Sequence, residues 1–413
     1  MRKKFLTVFI VLWLAAIPSL AAVIDGGAWA EFYSYKSRFP QTQSQLCSLE
    51  GLRLGVRDAF IPGLSIFARG RVASDLSHKY ASDPDLRVYG AYLEYVTANR
   101  MLTARAGRQF VFAGLGGITL DGGRVDLSHK SGLSFTGYAG TTPGLTFYDL
   151  DEINSWKKGN AYGGHLKYKG LHNWVFGASF QQRNFMDNLD SQLGGLDFSY
   201  ADKMCSLFGR GDYDLFQNRL QLLTVRPTIR CPQGHYVSLE YLYRRPSIPL
   251  HSMFSVFNSK PYHQVRISPT MKLMPDLYAI TSFTFTQLKG DRNFRMSLGG
   301  SYLGQSAGFI FSDGYGGRQI GGFGSLSYNV TDMFEVYLHG DIFDYKVDKD
   351  ELDYTHSLAT VLGANCKVVK NLQTRVEVQL LSNLDYKYDT RFYLKLEYSL
   401  RRIINESTGG EGK

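Results

Sequence analysis

The sequence predicts an all-β protein, namely a transmembrane antiparallel up-and-down β-barrel with an even number of strands. Apolar and polar side chains alternate in segments of roughly 10–13 residues, the length that a tilted strand needs to cross a bilayer. The chain holds 27 Tyr, 27 Phe and 43 Gly but 12 Pro, a composition that favours many strands with short turns. Long polar connections alternate with tight turns, which predicts a barrel with two unlike rims.

The N-terminus predicts a secretory signal peptide over residues 1–21. A basic start is followed by an apolar stretch from Phe5 to Ile17, which is too short to span a bilayer. A small-x-small motif then ends at Ala21, so we expect cleavage after Ala21 or Ala22. A signal anchor is the alternative.

The alternation is strictest in the stretch 101–127. One face of its first strand is small or apolar, as at Leu102 and Ala104, and the other face carries Arg105. A Gly-rich connection, from Ala113 to Gly117, leads to a returning strand with the same division. We interpret the apolar face as covered by lipid. Whether the connection constricts the lumen or lies at the rim is open at this stage.

The same division recurs along the chain, and the candidate strands number about 22, with a range of 18 to 22. The other candidates include Ala28–Arg38, Cys47–Asp58, Leu64–Ser74, Leu86–Thr97, Tyr162–Lys169, Trp174–Arg183, Leu193–Ala201, Cys205–Leu215, Leu220–Arg230, Tyr236–Arg245, His263–Leu273, Leu277–Gln287, Phe294–Leu303, Ala307–Ser312, Gln319–Tyr328, Met333–Asp344, Ser357–Val368, Leu372–Leu381 and Arg391–Arg401. No linker interrupts them, so residues 22–404 are predicted to form one barrel, followed by a polar tail at 405–413.

Charge and cysteine content exclude several classes of function. Without the three cations of the signal peptide, the net charge falls from +9 to +6, and no run of five basic residues occurs, so nucleic acid is not an expected partner. The four cysteines form no metal-binding motif, and neither a metal nor a cofactor is expected. Cys205 and Cys231 would lie nearly opposite each other if Gln217-Asn218 is a hairpin apex, so a disulfide and two free thiols are both open.

The polar faces of neighbouring strands carry an excess of arginine near the start of the chain. An arginine-rich pore wall raises the local concentration of anions. The pore-lining candidates from these strands are Arg53, Arg57, Arg69, Arg71, Tyr92, Glu94 and Arg105. The alternative is that inward charges of both signs only hydrate and cross-link the wall, since acidic residues such as Glu50 and Glu240 are also expected to point inward.

One polar face resembles an acid/base cluster. Glu335, Tyr337, His339 and Asp341 share one face of one strand. No nucleophile can be placed beside them from the sequence, and polar walls bring such residues together routinely. We therefore expect no enzymatic activity.

Two segments resemble those of known outer-membrane proteins. Ala106-Gly107-Arg108-Gln109, followed by Leu120-Asp121-Gly122, resembles the "GRQ … DG" strand–loop–strand of Gram-negative porins of the alginate-export and related substrate-specific types. The resemblance implies the outer membrane of a Gram-negative bacterium, insertion by periplasmic chaperones and the barrel-assembly machinery, and a constriction at or near Arg105, Arg108 and Gln109. The amphipathic last strand resembles an outer-membrane sorting signal.

Two hypotheses of function follow. The first is a passive channel for small polar, possibly anionic, solutes, surrounded by outer-membrane lipid. The second is a structural sheath that encloses a partner such as a multihaem cytochrome, whose haem would belong to the partner because the chain has no CxxCH motif. A pore requires a constriction, whereas a sheath requires a wide lumen without inward-folded loops. A homotrimer or a periplasmic partner is compatible with both.

Overall fold

The computed structural model is a closed barrel of 22 antiparallel strands. It describes residues 23–37, 43–77, 84–143, 155–246, 260–346, 353–384 and 387–403. Each strand pairs with the next one in the chain, and the last strand pairs with the first, so the sheet has no open side. The predicted fold and the count of 22 are confirmed. The predicted signal peptide and C-terminal tail lie outside the described residues.

The strands are, in chain order, β1 (Val23–Ser37), β2 (Gln43–Arg57), β3 (Leu64–Asp75), β4 (Asp85–Val96), β5 (Leu102–Phe112), β6 (Gly117–Ser128), β7 (Leu133–Thr141), β8 (Gly159–Tyr168), β9 (Trp174–Phe185), β10 (Asn188–Ala201), β11 (Cys205–Asp214), β12 (Arg219–Arg230), β13 (Tyr236–Arg244), β14 (Tyr262–Met274), β15 (Leu277–Leu288), β16 (Asp291–Tyr302), β17 (Gln305–Gly314), β18 (Gly317–Thr331), β19 (Phe334–Lys346), β20 (Thr355–Val369), β21 (Leu372–Ser382) and β22 (Asp389–Ile403). Within the described residues there is no helix that is long and apolar enough to cross a membrane.

The two rims differ as the sequence predicts. On one rim, here called the short-turn rim, every connection has six residues or fewer, from 58–63 to 370–371. The first and last described residues of the barrel, Val23 and Ile403, pair at this same rim. The other rim, here called the long-loop rim, carries the connections 76–84, 142–158 and 245–261. This asymmetry is typical of outer-membrane barrels, in which the short turns face the periplasm.

The outer surface is apolar and carries aromatic side chains near the short-turn rim. Leu93 and Leu127 are 50% and 46% exposed, as expected for side chains that lipid covers. Near the short-turn rim, Trp174 stacks on Phe176 with ring centroids 5.6 Å apart and also contacts Tyr200. Such aromatic belts lie at the interface between lipid and water. The surface is therefore that of a membrane-spanning barrel.

Two expectations about side-chain direction are wrong. Glu50 lies opposite Ala30 and Val72, on the face of Leu52, so it does not point into the lumen. Because alternate residues share a face, its distance of two residues from Leu52 determines this direction. On β4, the alternation in the sequence predicts that Tyr89 points outward with Leu93, but the bulge described below turns it inward.

No disulfide joins Cys205 and Cys231 in the structure. Cys205 lies opposite Ile229, because the β11–β12 hairpin closes at the pair Asp214–Arg219 and its apex therefore lies before Gln217-Asn218. Cys231 consequently falls in the turn after β12. A register read from the sequence is uncertain by a residue or two, which is enough to misplace the apex.

Candidate functional site

The β5–β6 hairpin leaves the barrel wall part of the way along its length. The ladder between β4 and β5 ends at the pair Ala91–Arg108, and the ladder between β6 and β7 ends at Asp121–Thr141. Beyond these pairs, residues 109–112 and 117–120 are paired only with each other. The hairpin is therefore free of both neighbouring strands over residues 109–120, at the long-loop rim.

The freed part of the hairpin folds into the lumen and packs on the inner wall. Val111 and Leu120 are fully buried and form one cluster of buried residues with Tyr138 of β7 and Ala161 of β8. At the tip, a Cβ added to Gly195 of β10 would lie 2.5 Å from Cδ2 of Leu115. The hairpin thus reaches across the inner faces of β7 to β10.

Contacts of the tip confirm its position inside the barrel. A Cβ on Gly114 would overlap the hydroxyl group of Ser179, which lies directly opposite Gly195 in the β9–β10 ladder. Both wall residues belong to the face opposite the exposed Phe180 and Leu196. An Arg183 guanidinium nitrogen also donates to the carbonyl oxygen of Gly117 at 3.4 Å.

A row of three glycines lies across the base of the hairpin. Gly107 of β5 is opposite Gly122 of β6, which is opposite Gly140 of β7. Gly107 has φ +125°, and an added Cβ would lie 2.8 Å from the Cα of Tyr92. A Cβ on Gly122 would lie 2.5 Å from the Cα of Gly140. The backbones approach so closely here that no side chain fits, and the hairpin bends at this row.

The Arg108–Asp121 pair lies directly above the glycine row. Nε and Nη2 of Arg108 donate to the two carboxylate oxygens of Asp121 at 2.7 Å each, which is a bidentate geometry. Nη1 of Arg108 donates to the carbonyl oxygen of Val88 at 3.3 Å. The two side chains are 6% and 11% exposed. Gln109, also buried, donates to the carbonyl oxygen of Gly122 at 3.3 Å.

Arginines of β2 and β3 face the lumen beside the hairpin. Arg53 lies opposite Arg69 in the β2–β3 ladder. A bulge between Arg69 and Gly70 leaves Tyr89 as an extra residue on β4, and its ring lies 5.8 Å from the guanidinium carbons of both Arg69 and Arg71. These distances are suited to cation–π contacts.

A second group of side chains continues this surface toward the hairpin. The ring of Tyr92 stacks on Phe67 with centroids 5.0 Å apart, and Arg105 lies 5.5 Å from the Tyr92 ring. Arg105 also forms an ion pair with Glu94 on the facing strand. Both groups and the hairpin enclose a cavity of about 460 Å³. Its lining includes Arg53, Phe67, Arg69, Tyr89, Tyr92, Arg105, Gln109, Phe110 and Thr119.

The inward arginines differ in how their charge is balanced. Arg57 pairs with Asp25 at 3.4 Å. Within the described part of the chain, Arg53, Arg69 and Arg71 form no ion pair with a carboxylate. The positive charge near the hairpin is therefore concentrated on these three side chains.

The structure brings together most of the site residues named from the sequence. Arg53, Arg69, Tyr92, Arg105 and Gln109 line the same cavity. The remaining ones lie around it: Arg71 contacts Tyr89, Glu94 pairs with Arg105, Arg57 lies at the short-turn end of β2, and Arg108 lies at the base of the hairpin.

Three side chains of the site are not predicted from the sequence. Tyr89 enters the lumen through a bulge that carries no sequence signal. Phe67 belongs to the inward face of β3, as its parity with Arg69 could have shown. Phe110 shares its face with Ala106 in the sequence pattern, and only the inward bend of the hairpin places it at the cavity.

The residues that resemble an acid/base cluster in the sequence form hydrogen bonds within the wall. Tyr337 donates to Glu377 at 2.6 Å, and Glu335 accepts from Asn365 at 2.9 Å. These bonds connect β19 to β20 and β21, as in a cross-linked polar wall. In the part of the chain that the structure describes, no group of three potential ligands could hold a metal ion.

The fold and the inward hairpin define the class of the molecule, a large closed β-barrel with an element inside its lumen. No family model and no curated protein matches the chain by sequence. Among solved structures, the siderophore receptor PirA from Pseudomonas aeruginosa is similar, at 11% identity and TM-score 0.61, over 93% of this chain and 81% of that one.

Two further barrels are similar at lower scores. The P pilus usher PapC translocation pore has 8% identity and a TM-score of 0.50, over 92% of this chain and 99% of that one. OprD from Pseudomonas aeruginosa has 10% identity and a TM-score of 0.42, over 94% and 98%. At these identities the likeness concerns the fold alone.

Proposed function

We propose that this protein is an outer-membrane channel for the passive diffusion of small polar solutes, with a preference for anions. The observation that carries the proposal is the β5–β6 hairpin, which occupies the lumen beside the arginine cluster of Arg53, Arg69 and Arg71. An element of the wall that folds inward narrows the passage where the unbalanced positive charge lies. A constriction lined by one sign of charge selects ions of the opposite sign.

The energetics of the arginine cluster support a preference for anions. Like charges directly opposite each other in an antiparallel ladder are destabilising. Arg53 and Arg69 are such a pair, and Arg71 lies two residues from Arg69. An anion near all three relieves their repulsion, so the cluster lowers the free energy of an anion at this point of the lumen.

The hairpin also favours a channel over a sheath. A barrel that encloses a partner protein requires a lumen free of inward-folded loops, whereas the hairpin is anchored on the inner faces of β7 to β10. We place the protein in the outer membrane of a Gram-negative bacterium, with the short turns in the periplasm, because of the rim asymmetry and the apolar outer surface.

Reconstitution of the mature protein into planar lipid bilayers tests the proposal. We expect discrete single-channel currents. Across a KCl gradient, the reversal potential should be displaced from zero toward the equilibrium potential of chloride. The triple variant Arg53→Gln, Arg69→Gln and Arg71→Gln should move this potential toward zero or into the cation-selective range. The matched control removes the same charge from exposed turns of the short-turn rim, with Lys130→Gln, Lys169→Gln and Lys203→Gln.

Each outcome decides between the hypotheses. A control with wild-type selectivity and an arginine variant with reduced selectivity would support the proposal. Equal shifts in both variants would mean that net charge, not the cluster, sets selectivity. The absence of discrete currents from the folded wild-type barrel would contradict the channel itself.

A further inference from the structure

We infer that the Arg108–Asp121 pair holds the β5–β6 hairpin inside the lumen and thereby sets the bore of the pore. This inference rests on the proposed channel function. It makes Arg108 and Asp121 positioning residues, which act on the passage through the hairpin that they fix. Three observations support this role: the position of the pair in the two ladders, the burial of both side chains, and the hydrogen bond from Arg108 to the backbone of β4.

The pair occupies the last rung of both ladders that connect the hairpin to the wall. Arg108 is the last β5 residue that pairs with β4, and Asp121 is the last β6 residue that pairs with β7. Arg108 and Asp121 are also directly opposite each other. The bidentate contact therefore ties the two strands of the hairpin together at the level where they leave the wall.

The same arginine occupies the space that the departing hairpin opens. Above Ala91, β4 has no partner in β5, so its carbonyl groups on that edge lose their ladder bonds. Arg108 donates to one of them, the carbonyl oxygen of Val88. A polar backbone group would be costly to bury without such a bond. The guanidinium thus replaces part of the β4–β5 ladder and stabilises the bent arrangement.

Arg108 and Asp121 lie on a different strand face from the arginines that line the lumen, so their role differs. Arg108 has the parity of Ala104 and Ala106, whereas Arg105 has the opposite parity and lines the cavity. The side chains of the pair are nearly buried, and neither belongs to the cavity lining. A solute in the cavity therefore meets Arg105 and Phe110, and it is affected by Arg108 only through the position of the hairpin.

The far end of the hairpin has its own anchor, so the two ends can be tested separately. Leu115 packs against Gly195, and Val111 and Leu120 are buried on the inner wall. With the base fixed by Arg108 and Asp121, this apolar contact keeps the hairpin across the lumen. With the base released, the hairpin depends on the apolar contact alone.

Single-channel recording of the full mature chain tests the inference. The double variant Arg108→Gln and Asp121→Asn leaves no lone buried charge but removes the Arg108–Asp121 ion pair, here called the clasp. We expect roughly a twofold larger conductance with more open-channel noise, because ion flow rises with the cross-section of the narrowest point. The exchange Arg108→Asp with Asp121→Arg should bring the conductance back toward the wild-type value. Arg108→Lys keeps the charge without the bidentate geometry and should give an intermediate conductance.

A matched control separates positioning from general stability. Asp389 is fully buried and binds Arg391 at 2.6 Å at the long-loop end of β22, away from the hairpin. The double variant Arg391→Gln and Asp389→Asn should lower the thermal stability but leave the conductance within experimental error of the wild type. A merely structural role of Arg108 and Asp121 predicts that both double variants behave alike.

A cysteine pair provides an independent arm that does not depend on the folding of the neutral variant. The variant Leu115→Cys with Gly195→Cys, in a background with the four native cysteines replaced by serine, can link the tip to the wall. The geometry suits a disulfide, since an added Cβ on Gly195 lies 3.3 Å from Cγ of Leu115. When this cysteine pair is combined with Arg108→Lys, formation of the disulfide by oxidation should restore the wild-type conductance. Reduction of the disulfide should return the conductance to that of Arg108→Lys alone.

The outcomes of these recordings bear on the two proposals separately. Wild-type conductance in the neutral pair and in Arg108→Lys would overturn the role of the clasp while leaving the channel intact. A conductance of Arg108→Lys that does not respond to oxidation would overturn it as well. A wild-type barrel without discrete currents would instead remove the proposed function on which the inference rests.

Discussion

Arg53 of β2 and Arg69 of β3 lie directly opposite each other on the inner wall, and neither forms an ion pair with a described carboxylate. Like charges in this position destabilise a sheet by an amount comparable to the roughly 0.2–1 kcal/mol that opposite charges contribute. Replacing one arginine with an acid therefore acts on stability and on selectivity in opposite directions. A single substitution at this pair therefore tests the effect of the charge on both stability and ion selectivity.

We predict that Arg69→Glu stabilises the barrel by up to about 1 kcal/mol and removes anion selectivity, because a cross-strand ion pair replaces a repulsion. Thermal unfolding in detergent micelles and the reversal potential in bilayers measure the two effects. Both should be largest at low salt and small at about 1 M KCl, where the Debye length is near 3 Å. A variant that is less stable than the wild type at low salt would show that the repulsion is already compensated.

A second prediction concerns the turn between β10 and β11. Asp202 accepts hydrogen bonds from the backbone N–H groups of Cys205 and Met204, each at 2.7 Å, and from the Tyr200 hydroxyl at 2.8 Å. These bonds, with that of Cys205 the largest contributor, lower the pKa of Asp202 from 3.8 to about 2. A lowered pKa in the folded state stabilises the fold above the unfolded pKa, and this contribution is lost as the pH falls toward 2.

Asp202→Asn should therefore lower the midpoint of thermal unfolding at pH 7, and its difference from the wild type should shrink between about pH 4 and pH 2. Wild type and variant are compared by thermal unfolding across this range. Asp187→Asn, in the β9–β10 turn at the other rim, serves as the control, since it makes the same substitution in another exposed turn. A difference that stays constant down to pH 2 would refute the role of ionised Asp202.

The sequence predicts the barrel wall well and the interior poorly, for a physical reason. The contrast between lipid and lumen requires alternation along every strand, so the period of two reveals the strands and places Arg53, Arg69 and Arg105 on the inner face. The bulge at Tyr89 and the shift at Asp212 change the register by one residue without changing the alternation on either side. Such irregularities are determined by backbone packing, which no local pattern encodes.

The hairpin illustrates the same limit. The sequence shows the Gly-rich connection but does not determine whether it enters the lumen. The decisive residues are Gly107, Gly122 and Gly140, which lie on three different strands and are far apart in the sequence. Only the ladder brings them into one row. The apolar residues Val111 and Leu120 resemble wall residues in the pattern, yet they are buried by the inner wall.

A third prediction tests the glycine row. Gly122→Ala should destabilise the barrel by about 1–3 kcal/mol, or shift the hairpin, because the added Cβ would lie 2.5 Å from the Cα of Gly140. The neighbouring Gly123→Ala is the matched control, since its Cβ has no heavy atom nearer than 3.9 Å. Thermal unfolding and single-channel conductance are measured for both. Equal stability of the two variants would show that the backbone separates at this row at little cost.

A fourth prediction concerns the apolar contact that anchors the hairpin on the inner wall. Leu120 is fully buried against a surface that includes Tyr138 and Ala161, so Leu120→Ala leaves a cavity and should cost about 2–5 kcal/mol of stability. Phe112→Ala removes a larger side chain from the opposite face of the same hairpin. Because Phe112 is 57% exposed, this change should cost little stability.

The two substitutions should rank in the same order in conductance recordings if the hairpin is anchored as the structure shows. Leu120→Ala weakens the contact with the wall, so the hairpin fluctuates and open-channel noise rises. Phe112→Ala leaves the anchor intact and only removes volume from the exposed face, so the current should remain quiet. If Phe112→Ala instead lowers the stability and raises the open-channel noise more than Leu120→Ala does, then the face with Phe112, not the one with Leu120, holds the hairpin in the lumen.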